Sequence, residues 1–261
     1  RIREPLFFCY HKDAMAQYTV ALKDRKTVAD GTELFVFEKP EGFQYQAGQY
    51  VAFIAPKIAG IEADAKGLAR SFSLTSAPFE SVLSFTMRSG ESAFKKTCWQ
   101  LSPGDTVTIT DPVGSFTLPS EDDNRPVVFL AGGIGITPVR SMLKQAEYEK
   151  SQRHFTLLYA NRFLKDATFH EDIKKLVLKN FRYVTVLSQS AEPCAPAYDE
   201  RGYIDEAIME KYIDDVLGSL YYVVGSPEFI TAMETMLTGF SVPKEQCKKD
   251  PFTGLRTQSA K

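Results

Sequence analysis

The sequence predicts two domains: an N-terminal antiparallel β-barrel and a C-terminal α/β unit built on a parallel sheet. Three observations predict it. The first half is a series of short β-rich runs separated by turn residues. A polar stretch, Ser120-Glu121-Asp122-Asp123-Asn124-Arg125-Pro126, reads as a linker. Beyond it, apolar strands alternate with helical stretches, the pattern of a parallel sheet with helices on its faces. The expected boundary lies between residues 122 and 123.

The chain has 261 residues, enough for two domains of ordinary size. Hydrophobic residues make up 44% and charged residues 25%, which argues against a disordered or fibrous chain. Thirty-one Lys and Arg against 33 Asp and Glu leave a formal charge of -2. That balance gives no general electrostatic reason to bind nucleic acid or an anionic membrane. No run approaches the ~18–20 apolar residues of a membrane helix. The opening, Arg1-Ile2-Arg3-Glu4-Pro5, lacks Met and is too acidic for a signal peptide, so a trimmed chain is expected.

Cys9, Cys98, Cys194 and Cys247 form no CxxC pair and no plant-type iron–sulfur run, and His11, His154 and His170 do not cluster. No metal site is expected. Scattered cysteines read as apolar fillers in a reducing compartment, hence a cytoplasmic location.

In chain order, strands are expected at 32–37, 50–54, 71–75, 82–87 and 106–109. Residues 92–101 interrupt them as a helix, capped by Ser92 and stopped by Pro103-Gly104. After the linker, 127–131 is a continuous apolar strand, followed by a glycine turn and a helix over 138–150. Strands at 155–159, 183–187 and 221–224 then alternate with helices at 166–179, 205–216 and 227–237. His170-Glu171-Asp172 reads as a solvated helix face, and Tyr221-Tyr222 as sheet packing. Lys174-Lys175 and Lys248-Lys249 are candidates for docking an acidic partner, or are simply solvated.

Two turns carry the strongest chemical signal. Gly132-Gly133-Ile134-Gly135-Ile136-Thr137-Pro138 follows a buried strand and opens a helix. Glycines let backbone N–H groups approach a pyrophosphate, and the helix offers its positive end. The turn departs from the dinucleotide fingerprint at its third glycine, where Pro138 stands. Val224-Gly225-Ser226-Pro227 is a second strand-to-helix turn, and a parallel sheet places both at the edge where ligands bind. In the first half, Arg70-Ser71-Phe72-Ser73 puts a cation and an aromatic ring on one strand face. Such residues suit a phosphate and a flat heterocycle, or an ordinary sheet with one surface Arg and one core Phe.

Taken in order with Asp111-Pro112-Val113-Gly114-Ser115-Phe116, these segments resemble the ferredoxin–NADP reductase superfamily over roughly residues 15 to 255. The resemblance implies a barrel holding a flavin, usually FAD, and an α/β domain holding NAD(P)H. By it, Arg70 pairs with the flavin phosphates, with Ser71 beside it, and Phe72 stacks on the isoalloxazine, where many members have Tyr. Ser73 bonds near flavin N5, Met87 and Arg88 line the ribityl path through their backbone, and Ser92 and Ala93 meet the pyrophosphate. Gly132, Gly133, Gly135 and Thr137 cradle the nicotinamide dinucleotide, together with Gly225, Ser226 and Pro227. Ser73 and Thr137 are the residues implied beside the reacting atoms. Asn161 and Arg162, ending the second strand, would face the adenosine ribose, with Gln189 where NADPH users often place Arg. Asp250-Pro251-Phe252-Thr253-Gly254-Leu255 resembles an E-x-F-x-G-Y ending, with Phe252 matched. Val224 replaces a frequent Cys, and Leu255 an aromatic residue.

The implied activity is hydride transfer from NAD(P)H to flavin, with electrons passing to a separate, unidentified acceptor, protein or small molecule. Two alternatives remain: a reductase domain of a longer chain or complex, and a non-catalytic flavin- or nucleotide-binding regulator.

Overall fold

The computed structural model describes residues 16–65, 67–189 and 198–252. Cys9, His11, Cys194 and Leu255 lie outside the described residues. Two six-stranded sheets organise the chain, the first antiparallel and the second parallel.

The first sheet contains β1 (Gln17–Ala29), β2 (Thr32–Glu38), β3 (Tyr50–Ile54), β4 (Ala69–Ser73), β5 (Val82–Arg88) and β6 (Thr106–Thr110), in the order β4-β3-β6-β1-β2-β5. β1 was not among the expected strands. Its run Lys23-Asp24-Arg25-Lys26 hides the alternation that marks a half-buried strand. A register shift between Leu22 and Asp24 divides it: the first part pairs with β6 and the rest with β2. That bulge lets one long strand turn the corner of the barrel. At the two ends of the order, the Thr75 N–H donates to Ser84 O at 2.9 Å, bringing the β4 end against β5. Phe35, Phe37, Phe53, Phe85 and Phe94 fill the interior, with Phe53 meeting Phe37, Phe85 and Phe94 edge to face. α1 (Ala93–Gln100) closes one end, and the Ser92 hydroxyl caps it by accepting from the Lys95 N–H.

The second sheet contains β7 (Val127–Gly132), β8 (Phe155–Asn161), β9 (Phe181–Leu187), β10 (Glu200–Arg201), β11 (Leu220–Gly225) and β12 (Cys247–Pro251), in the order β10-β9-β8-β7-β11-β12. The continuous apolar run of β7 serves two cores. Val127, Phe129 and Ala131 face one layer, and Val128 and Leu130 the other. The helices are α2 (Ile136–Tyr148), α3 (His170–Lys174), α4 (Glu206–Tyr212) and α5 (Pro227–Gly239). Tyr221 and Tyr222 are fully buried packing residues, and each hydroxyl donates to a carbonyl, of Val216 and Thr117 respectively.

Several element boundaries differ from expectation. α2 starts at Ile136, because Gly133–Gly135 forms a 3-10 turn that leads directly into it. The helix expected over 166–179 is only the five-residue α3. Phe169 before it adopts a left-handed conformation (φ 62°), which separates it from the 3-10 turn at Leu164–Asp166. His170-Glu171-Asp172 is not a solvated face throughout. His170 Nδ1 lies 2.9 Å from the Tyr183 hydroxyl, and Asp172 accepts from Arg140. β12 was missed because charged Lys248, Lys249 and Asp250 mask an edge strand. The stretch 120–126 is pinned, since the Arg153 guanidinium donates to the carbonyls of Ser120, Asp123 and Arg125. Cys98 is buried, whereas Cys247 is only partly so, at the β12 edge.

Candidate functional site

The glycine turns after β7 and β11 meet at the C-terminal edge of the parallel sheet. They are packed against each other. A Cβ on Gly135 would lie 2.8 Å from Val224 O and 3.0 Å from Gly225 N, so only glycine permits that approach. The Phe229 ring covers both turns: a Cβ on Gly132 or Gly225 would fall 3.0 or 2.9 Å from it. Ser226 and Pro227 build the start of α5. The Ser226 hydroxyl accepts from the Phe229 N–H at 3.2 Å, and Pro227 occupies the first turn.

Above the turns lies a cleft of about 350 Å³ lined by Arg88, Gly132, Gly133, Asn161, Arg162, Ser188, Tyr203, Ser226 and Phe229, among others. Asn161 is 8% exposed, and neither its amide nitrogen nor its amide oxygen has a hydrogen-bond partner. A buried side-chain amide left unsatisfied costs about 1–3 kcal/mol. Arg162 reaches Asp166 at 3.8 Å, so the cation at this rim is partly neutralised. A larger cleft of about 430 Å³, lined by His154, Lys179 and Asp214 among others, sits at the N-terminal strand ends, away from the glycine turns.

In the barrel, Arg70 donates to the carbonyls of Gly67 and Ala69 at 2.9 and 2.7 Å, and its guanidinium lies 5.5 Å from the Phe94 ring centre. It also pairs with Asp64 at 3.2 Å. The same Asp64 carboxylate accepts from the Ala93 N–H at 3.2 Å, at the N-terminus of α1. Arg70 and the Ala93 amide therefore converge on one anionic group, the donor set a pyrophosphate requires. Phe72 is partly buried and stacks on Phe94, with centroids 5.6 Å apart and an interplanar angle of 23°. Ser71 is exposed on the same strand.

The two halves meet at Ser73. Its hydroxyl donates to Asp250 Oδ2 at 3.4 Å, and Asp250 sits on β12 opposite Val224. Burial pushes the Asp250 carboxyl up to about 6, while the Ser73 bond pulls it down. A carboxyl raised in the fold binds its proton more tightly when folded. Its stabilising contribution is therefore full below about pH 4 and is lost as pH rises through 6. Asp250→Asn is expected to be more stable than the parent at pH 7.5, by on the order of 3 kcal/mol, and to match it near pH 4. Urea unfolding at the two pH values measures this; equal stability at pH 7.5 would contradict it.

Residues 129–235 match the family model of the oxidoreductase NAD-binding domain. The chain is 26% identical over 265 residues to reductase component 1 of terephthalate 1,2-dioxygenase from Comamonas sp, covering 99% of this chain and 75% of that one. It is 29% identical over 223 residues to the propane 2-monooxygenase reductase component of Mycolicibacterium goodii, covering 82% and 61%. The crystal structure of a ferredoxin NADP+ reductase from Neisseria gonorrhoeae, with bound FAD and NADP, superimposes with a TM-score of 0.76 at 19% identity, covering 91% and 99%.

The chain shares the fold of that ferredoxin NADP+ reductase and is similar in sequence to reductase components. Its antiparallel and parallel sheets match that two-domain fold, and the oxidoreductase NAD-binding model falls within the parallel-sheet half. Among the described residues, no helix is long and apolar enough to cross a membrane.

Within this fold the structure groups the expected residues into two sets. Arg70, Phe72, Ser92 and Ala93 gather at β4 and α1; Gly132, Gly133, Gly135, Asn161, Arg162, Gly225, Ser226 and Pro227 gather at the sheet edge. Thr137 is buried in the first turn of α2, and Phe252 donates its N–H to Gly225 O at 2.9 Å. Met87 is buried among the barrel side chains. Arg88 makes a further contact through its side chain: its guanidinium nitrogen comes within 3.1 Å of where a Gly133 Cβ would lie, in the cleft above the glycine turns. A residue ending a barrel strand reaches the second sheet because the two sheets adjoin there. Phe229, Tyr203, Asp64 and Asp250 were not singled out. Asp250 had a signal, occupying the acidic place of the E-x-F pattern. Asp64 had none, since it lies in an irregular loop.

Proposed function

We propose that the chain is a flavoprotein reductase, with a flavin-binding barrel over residues 1–122 and an NAD(P)H-binding domain over 123–261. The observation that carries this reading is the convergence of two anion-ready sites on the Ser73–Asp250 junction. One is formed by Arg70 and the α1 N-terminus, the other by the glycine turns with unpartnered Asn161. The residues present fit both groups. When bound, NAD(P)H supplies a hydride, and FAD accepts it and releases electrons onward.

Arg70 and the Ala93 N–H hold the flavin phosphates, and Phe72 offers an aromatic face to the ring. Ser73 would present its hydroxyl oxygen at the reacting edge, oriented by its hydrogen bond to the partly buried Asp250. Gly133 and Gly135 admit the nucleotide phosphates to the backbone, with Arg88 reaching across from the barrel. Asn161 takes the polar contacts it lacks within the protein. Thr137, in the first turn of α2, would meet the nicotinamide end of the dinucleotide. The acceptor is a separate redox partner, of the oxygenase-component type for which the relatives are named, in a reducing cytoplasmic setting that suits free Cys98. The deciding experiment is anaerobic titration. A yellow protein that bleaches on addition of NADH or NADPH is expected; a colourless protein that takes up neither FAD nor FMN would overturn the reading.

Nucleotide preference is expected to be modest, leaning to NADH. Arg162 faces the ribose end but is paired with Asp166, and Gln189 donates its N–H to Arg162 O at 2.9 Å without adding a charge. Gln189→Arg is expected to shift preference toward NADPH. Steady-state kcat/KM with both nucleotides checks it. A parent preference for NADPH above about a hundredfold, or ~2.7 kcal/mol, would contradict the assignment.

A further inference from the structure

Helix α2 does more than present its first turn to the cleft. Two consecutive residues of this helix, one turn beyond the glycines, donate to two consecutive carbonyls of the barrel. Arg140 Nη1 donates to Thr75 O at 2.9 Å, and Ser141 Oγ donates to Ser76 O at 2.6 Å. Both Ser141 and Ser76 are fully buried. The Tyr45 hydroxyl donates to the same Ser76 carbonyl at 3.0 Å, and the Thr75 N–H is held by Ser84 O, so the receiving strip is fixed from the barrel side.

Arg140 itself is held by several partners. Its Nε donates to Asp172 at 2.7 Å, its Nη1 lies 3.4 Å from Glu80, and its guanidinium lies 5.0 Å from the Phe169 ring centre. Its side chain is 11% exposed. A buried guanidinium with two carboxylates and a carbonyl around it is a rigid joint, because each donor has one direction in which it is satisfied. The joint adjoins both positions in the chain: Thr75 is two residues past Ser73, and Arg140 is three residues past Thr137.

We propose that Arg140 and Ser141 are positioning residues that set the spacing between Ser73 on the barrel and the Thr137 turn of the nucleotide domain. This rests on the reductase reading above. Neither residue touches the reacting atoms. They fix how closely the two sites approach, and transfer between bound groups falls steeply when that approach is lost.

The test uses the flavin-loaded protein and the variants Arg140→Gln, Arg140→Lys, Ser141→Ala and the Arg140→Gln/Ser141→Ala double. Amide hydrogen exchange over residues 74–80, without nucleotide, is expected to accelerate in each variant. The limiting rate of anaerobic bleaching at saturating nucleotide is expected to fall by about tenfold in Arg140→Gln and about a hundredfold in the double variant. The nucleotide concentration for half-maximal rate should change by less than about threefold, since no phosphate contact is removed. Arg140→Lys should recover part of the rate, keeping the charge without the fork. If Arg140→Gln fails to fold, Ser141→Ala, which removes a single hydroxyl, still decides through the same two readouts. Faster exchange at 74–80 with the parent's bleaching rate would overturn the proposal, as would a shift in half-saturation alone. A parent protein that is not bleached at all would overturn the reductase reading instead.

Discussion

Gly135→Val is expected to abolish nucleotide binding and to lower the stability of the parallel-sheet domain at the same time. A glycine turn that only admitted phosphates would tolerate a side chain pointing into the cleft without loss of stability. Here the Cβ of any other residue would press on Val224 O at 2.8 Å and Gly225 N at 3.0 Å, backbone atoms that cannot rotate away. Forcing the contact separates the β7 and β11 turns, an overpacking cost of about 1–3 kcal/mol. Flavin absorbance should survive, because Arg70 and α1 belong to the barrel and neither forms part of the clashing turns. Thermal unfolding and nucleotide titration together check this; a parent-like melting temperature would show that the turns yield. Gly133→Ala makes a useful contrast. Its Cβ would meet the Arg88 guanidinium at 3.1 Å, a flexible neighbour, although φ of +54° disfavours any side chain.

Arg70→Ala is expected to weaken flavin retention by one to two decades, the loss of a charge-assisted contact of about 1.5–3 kcal/mol. The structure adds a counterpart of opposite sign. Asp64 accepts from the Ala93 N–H and pairs with Arg70, so its carboxylate competes with an incoming phosphate for the same donors. Asp64→Asn keeps the loop's shape but removes that charge, and flavin should bind more tightly than to the parent. Fluorescence titration of apoprotein with FAD measures both. If Asp64→Asn weakens binding as Arg70→Ala does, Asp64 supports the anchor instead of opposing the ligand.

Much of this molecule was legible in its sequence because local rules were obeyed locally. The run Val127-Val128-Phe129-Leu130-Ala131 could only be a strand buried on both faces, and its residues do alternate between two cores. Ser92 announced a helix start by the hydroxyl that caps it. The glycines at 132, 133 and 135 marked a turn where side chains do not fit. What stayed hidden was carried by charged residues whose partners are far away in the chain. β1 and β12 carry lysines and aspartates that erase the period-two pattern, and only neighbouring strands define them.

The sequence by itself determined the two-domain architecture, the order of the motifs and the residue types able to meet phosphate and ring. Those depend on hydrophobic periodicity, turn chemistry and capping, which act within a few residues. Only tertiary packing decided that Arg88 reaches the cleft above the glycine turns, that Asp64 faces Arg70, that Asp250 lies partly buried against Ser73 and that Arg140 bolts the helix to the barrel. Each of the last two pairs joins residues at least 65 positions apart. Such contacts are set by how the two sheets pack together, and no local preference of either residue encodes its partner.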